Sequence, residues 1–242
     1  MSPLLELKAV TRRFGGLIAV NELSFAVVPG EIVGLLGPNG SGKTTALNTI
    51  SGLLPLSDGE IVLDGHPIGS LRPHRIVARG VSRTFQLVRA LPSLSVTENI
   101  LAAVAFRKEA AWGDAAHREV ADLLDQVGLA GRGSQPAAGL TYIDLKRMEL
   151  ARALASRPRL LLLDEWLAGL NPTELNTGID LISGLRNSGI TVLLVEHVMD
   201  AVRALCDRCV VMNTGRKIAE GPTADVLAHP EVIGAYLGDE DA

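Results

Sequence analysis

Residues 37–45 read Gly-Pro-Asn-Gly-Ser-Gly-Lys-Thr-Thr, a full match to the pattern G-x-x-x-x-G-K-[ST]. The flanks agree with it. Glu31–Leu36 is a short apolar run that predicts a strand, and Lys43–Ile50 predicts a helix that stops at Gly52. Such glycines let backbone N–H groups curl round phosphate oxygens, and the helix N-terminus adds favourable partial charge. The pattern therefore assigns Gly37, Pro38, Asn39, Gly40, Ser41, Gly42, Lys43, Thr44 and Thr45 to the phosphates of a nucleotide. Lys43 is expected at the β- and γ-phosphates and Thr44 beside a Mg²⁺ ion. The loop also commits the chain to an α/β fold, because it works only between a strand end and a helix start.

The rest of the chain fits that commitment. Leu160–Leu163 and Ile190–Val195 are continuous apolar runs, as expected of strands buried on both faces. Each leads into polar residues, Asp164–Glu165 and Glu196–His197, where open α/β sheets hold their ligands. Asp164 is expected to bind Mg²⁺, directly or through water, and Glu165 to polarise an attacking water. Gly59–Asp64 predicts a hairpin strand, and Met1–Val10 alternates like a strand, unlike a signal peptide. Between 88 and 155 the texture turns helical, for example Val120, Leu123, Leu124 and Val127 before Gly128, with a loop at Gly131–Gly139. We read residues 1–87 and 156–242 as the core and 88–155 as a helical insertion.

Composition adds boundaries. With 242 residues, 47% hydrophobic and 21% charged, the chain suits one large soluble domain with room for a subdomain. A net charge of −4 gives no global basic field, so no nucleic-acid partner is expected. No apolar run approaches the ~18 residues of a membrane-spanning helix, which points to the cytoplasm. Cys206 and Cys209 are spaced C-x-x-C without two further ligands nearby, and buried reduced thiols are expected there.

Taken together, these segments resemble the ATPase subunits of ABC transporters over nearly the whole chain. Gln86 in RTFQ resembles the family's Q-loop glutamine, which touches the metal and links nucleotide state to the membrane partner. His197 after LLVE resembles the switch histidine at the γ-phosphate. Ala168–Pro172 (AGLNP) resembles the D-loop, and Phe14 in RRFGG the aromatic that stacks on adenine. The resemblance implies a P-loop NTPase (RecA-like) core with an N-terminal antiparallel β region and an inserted helical subdomain. It implies ATP and Mg²⁺, transmembrane permease subunits, a second ATPase subunit and, indirectly, a periplasmic or extracellular solute-binding protein. The chain would then sit on the inner face of the cell membrane. GVSRTFQLVRALPSLSVTENI (80–100), LLVEHVMDAV (193–202) and PEVIGAYLG (230–238) are most similar to the larger ATPase subunit of branched-chain amino acid importers. Urea-importer ATPases are similar too, and the lipopolysaccharide-export ATPase is more distant.

The chain departs from the family at its signature. Members carry a segment close to LSGGQ, often LSYGQ, that opens a helix and grips the γ-phosphate held by the opposite subunit. Here Leu140, Thr141, Tyr142, Ile143 and Asp144 stand in its place. Ile143 puts a β-branched side chain where the backbone should approach an anion, and Asp144 is expected to oppose the helix dipole and repel phosphate. T-x-x-D also resembles a capping box, so the segment predicts a sound helix start but a poor phosphate site. Restoring Gly at 143 and Gln at 144 is therefore expected to raise homodimer ATPase. Trp166 stands where the family usually has Pro, which predicts packing, and Val198 follows His197 where Asp is frequent. The leading expectation is a transport ATPase paired with a different, ordinary ATPase. The alternatives are a regulatory subunit with little turnover, or a soluble relative working on ribosomes or DNA. The last would usually need tandem cassettes or a long coiled coil, and neither is present in this sequence.

Overall fold

Four apolar runs with side chains alternating between two faces form the centre of the molecule. The computed structural model describes residues 2–237, so Met1 and Gly238 of the segments discussed above lie outside the described residues. The central strands are β3 (Ile32–Leu36), β7 (Leu160–Asp164), β8 (Thr191–Val195) and β9 (Arg208–Asn213). Along β3, Ile32 and Leu36 enter one core while Val33 and Leu35 enter another. β7 divides the same way, with Leu161 and Leu163 against Leu160 and Leu162. A strand of period two buried on both faces must be apolar throughout, which is why these runs carry no polar alternation.

With β6 (Val81–Arg83) and β10 (Arg216–Pro222), these strands make a six-stranded sheet in the order β10-β9-β3-β8-β7-β6. All its pairings are parallel except β9 with β10. A second, antiparallel sheet has the order β2-β1-β4-β5, from β1 (Leu5–Phe14), β2 (Leu17–Val27), β4 (Asp58–Leu63) and β5 (His66–Pro67). The alternating N-terminus and the Gly59–Asp64 run belong to β1 and β4. The core shared by the two sheets also holds Ala46, Leu47 and Ile50 of α1 (Lys43–Ile50).

The opposite face of the large sheet is covered by helices. Here lie α3 (Val96–Phe106), α4 (Gly113–Gln126) and α5 (Tyr142–Leu154), preceded by the short α2 (Pro73–Val77). Gly128 closes α4 in the left-handed region at φ +76°, as its position after the apolar stripe predicts. The remaining helices are α6 (Pro172–Asn187), α7 (Met199–Leu205), α8 (Thr223–Leu227) and α9 (Pro230–Leu237). Among the described residues no helix is long and apolar enough to cross a membrane. Cys206 and Cys209 are both free and buried, as expected from their apolar neighbours.

Candidate active site

The loop after β3 is built so that only glycine fits at its tight points. Gly37, Gly40 and Gly42 take φ values of +142°, +74° and +104°. A Cβ at Gly37 would stand 2.1 Å from the carbonyl oxygen of Met212, and one at Gly42 would stand 2.3 Å from that of Ala19. α1 starts at Gly42 with no side-chain cap and no acid in its first turn. By contrast, α3 and α6 begin with closed capping boxes, Ser95 with Glu98 and Asn171 with Glu174. The amino end of α1 is thus shaped to receive an anion, whereas those of α3 and α6 are satisfied by their own side chains. Lys43 is buried against the same loop, its ammonium donating to the carbonyls of Gly37 at 2.6 Å and Pro38 at 2.8 Å.

Across the cleft, β7 delivers two carboxylates with different surroundings. Asp164 is buried, and its Oδ2 accepts a hydrogen bond from Arg83 at 2.6 Å. Burial pushes its carboxyl above the usual range, against the pull of the Arg83 guanidinium. Its Oδ1 has no hydrogen-bond partner, an uncommon state for a buried oxygen. Glu165 has φ +50°, a conformation that non-glycine residues hold only when their neighbours fix them. Gln86 donates to Glu165 Oε2 at 2.7 Å, and His197 Nδ1 lies 3.9 Å from the same oxygen. Phe14, Asn39, Gly40, Gly42–Thr45, Gln86 and Glu165 together line a cleft of about 420 Å³. The Phe14 ring is 43% exposed and has the Arg12 guanidinium 4.5 Å from its centroid. A neighbouring cleft is lined by Thr44, Gln86 and Asp164, the three residues expected around a metal. The bare Oδ1, one hydroxyl and one amide oxygen suit a Mg²⁺ ion that takes its other ligands from phosphate and water.

The family model described as ABC transporter matches residues 20–168. This chain belongs to the ABC transporter family. Its residues 216–242 also match the model described as branched-chain amino acid ATP-binding cassette transporter. The chain is 40% identical over 256 residues to the high-affinity branched-chain amino acid transport ATP-binding protein BraF of Pseudomonas aeruginosa, covering 98% of each. It is 39% identical over 254 residues to the LivG protein of the same description from Escherichia coli K12, again covering 98% of each. Among solved structures, the ADP conformation of the ATP-binding cassette MJ1267 superposes with a TM-score of 0.88 at 28% identity. That match covers 98% of this chain and 100% of that one.

At the signature of this ABC cassette, the structure corrects one expectation from sequence. Asp144 does not present its charge to an incoming phosphate. It is 6% exposed, accepts from Thr141 Oγ1 at 2.5 Å, and is paired with Arg132 at 2.6 Å and Arg147 at 3.6 Å. Two guanidinium groups compensate the carboxylate, so it contributes little repulsion. The capping arrangement is also only half formed: Thr141 Oγ1 accepts from the Asp144 amide at 3.4 Å, while Asp144 takes the hydroxyl proton of Thr141. What does set this helix start apart from that of α1 is the engaged Thr141 hydroxyl. Ile143 lines a cleft with Gly128, Arg147, Trp166 and Gly178. Trp166 lines it as well, so the two departures from the family pattern share one space. The indole is 2% exposed, donates to the Lys146 carbonyl at 3.1 Å, and faces Gly178, where a Cβ would approach it to 3.2 Å. The indole is therefore a packed, hydrogen-bonded part of the helix-side core. Val198 starts α7 without a side-chain cap.

The residues that hold these groups in place carry no local sequence signal. Lys146, buried on α5, donates to the carbonyls of Glu165, Trp166 and Ala168 at 3.1, 2.9 and 2.9 Å. Glu149, one turn on, accepts from the amides of Phe85 at 3.2 Å and Arg89 at 3.1 Å, on either side of Gln86. One helix therefore braces both the glutamate end of β7 and the segment carrying Gln86. Glu196 accepts from the Leu167 amide at 2.6 Å and fixes the next stretch of the same loop. Beyond it, Asn171 caps α6 with Pro172 in the first turn, a pairing preorganised for a helix start and visible in AGLNP.

Proposed function

We propose that this chain is the ATP-hydrolysing subunit of an importer for branched-chain amino acids, acting on a separate permease. The observation that carries the reading is the cleft joining Phe14, the phosphate loop, Gln86 and Glu165 at the carboxyl ends of β3 and β7. In it, Phe14 stacks on adenine, and Gly37–Thr45 wrap the phosphates with Lys43 at the β- and γ-groups. Thr44, Gln86 and Asp164 hold Mg²⁺, which neutralises phosphate charge when bound. Glu165, oriented by Gln86 and by Lys146 behind it, takes the role of base for the attacking water, and His197 contacts the γ-phosphate. The full-length similarity to branched-chain amino acid transport proteins and the match over 216–242 support the solute class.

In this reading, residues 88–155 form the subdomain that carries Leu140–Asp144 to a second ATPase, and the chain works peripherally on the inner membrane face. A solute-binding protein delivers the cargo on the far side. The engaged Thr141 hydroxyl and the side chain at 143 favour a heterodimer, in which this chain's own phosphate loop meets an ordinary signature. The same two features are what a regulatory subunit with little turnover would show, and that is the second reading. Asp144→Gln is no longer expected to help, since it would leave Arg132 and Arg147 without their carboxylate.

The test is transport. Proteoliposomes holding this chain with its permease, second ATPase and binding protein should accumulate labelled leucine only when ATP is supplied. Isoleucine and valine should compete. Competition by urea would overturn the solute assignment, and ATP-independent leucine entry would overturn the energising role.

A further inference from the structure

The amide of Gly37 is buried where β3 passes into the phosphate loop, and the hydroxyl of Tyr236 accepts its hydrogen bond at 2.8 Å. The sheet does not reach this amide. β3 pairs with β8 only as far as Gly34 and with β9 only as far as Leu36. A buried N–H needs an acceptor, and here it comes from a side chain 199 residues further along, on α9. The backbone cannot relax to find another, because Gly37 already sits at φ +142° under the Met212 carbonyl. The helix that supplies the hydroxyl is itself held: Val232 is 2% exposed in the helix-side core, and the Tyr236 ring packs against the same cluster. Burial pushes the phenol above its usual range, so it stays neutral and keeps its acceptor geometry.

We infer that Tyr236 is a positioning residue of the nucleotide site, its hydroxyl fixing the entry of the phosphate loop. The carboxyl-terminal helix thereby becomes part of the nucleotide-binding apparatus. The loop's later amides point at phosphate only if the first turn leaves β3 at the observed angle, and Gly37 sets that angle. The inference rests on the reading of Gly37–Thr45 as a phosphate loop.

Tyr236→Phe in the full chain removes the acceptor and keeps the ring. Binding of the fluorescent analogues MANT-ATP and MANT-ADP should weaken alike, by roughly ten-fold. The kcat at saturating ATP should stay within about two-fold of the parent, since the contact serves ground-state and transition-state binding equally. A role in stability alone would lower the melting midpoint and leave both dissociation constants unchanged, and that result overturns the inference. Lys43→Ala runs beside it. If Lys43→Ala weakens MANT-ATP binding while Tyr236→Phe binds normally, only the role of Tyr236 fails. If Lys43→Ala also binds normally, the phosphate-loop reading fails and the inference falls with it.

Discussion

Glu165→Gln should bind ATP as the parent does and hydrolyse it at least about a hundred-fold more slowly, the usual loss for a positioned general base. The geometry isolates that effect. Gln86 holds one carboxylate oxygen at 2.7 Å, Lys146 holds the backbone carbonyl at 3.1 Å, and the backbone keeps φ +50°. An amide of the same shape preserves those supports and removes the basic oxygen. The expected product is an ATP-bound state that forms and does not resolve, seen as retained nucleotide after gel filtration with no phosphate release. A variant releasing phosphate at the parental rate would require a base other than Glu165.

Lys43→Ala attacks the other side of the cleft and should weaken binding in place of catalysis. A charge-assisted hydrogen bond contributes about 1.5–3 kcal/mol, so loss of the ammonium from the phosphates predicts at least a ten- to hundred-fold weaker ATP affinity. The fold should persist, because alanine is compatible with the first turn of α1 and the glycines that shape the loop are unchanged. Calorimetry with ATP measures the affinity, and circular dichroism checks the fold. Parental affinity in a folded variant would contradict the assignment of the loop.

The phosphate loop was legible because its physics is local: glycines at fixed spacing, a strand before and a helix after. Asp164 and Glu165 were legible because acids at the carboxyl end of a doubly buried strand face the ligand crevice of an open α/β sheet. The supports were not. Arg83 finds Asp164 across 81 positions, Lys146 finds Glu165 across 19, and Tyr236 finds Gly37 across 199. Nothing local distinguishes a lysine that will be buried on a helix from one that will be solvated. Asp144 shows the same limit in reverse. Its place at a helix start was readable, but the direction of its carboxylate depends on Arg132, brought to it by the loop before α5.

On the proposed function, this chain carries the working catalytic site of its complex. Phosphate release should be measured from the reconstituted complex with Glu165→Gln in this chain, and separately with the equivalent substitution in the partner ATPase. If this chain's phosphate loop meets the partner's ordinary signature, Glu165→Gln removes nearly all turnover. The partner's substitution falls on the site facing Leu140–Asp144 and removes much less. Loss of turnover from the partner's substitution alone, with Glu165→Gln at the parental rate, would contradict the account and make this chain the regulatory subunit.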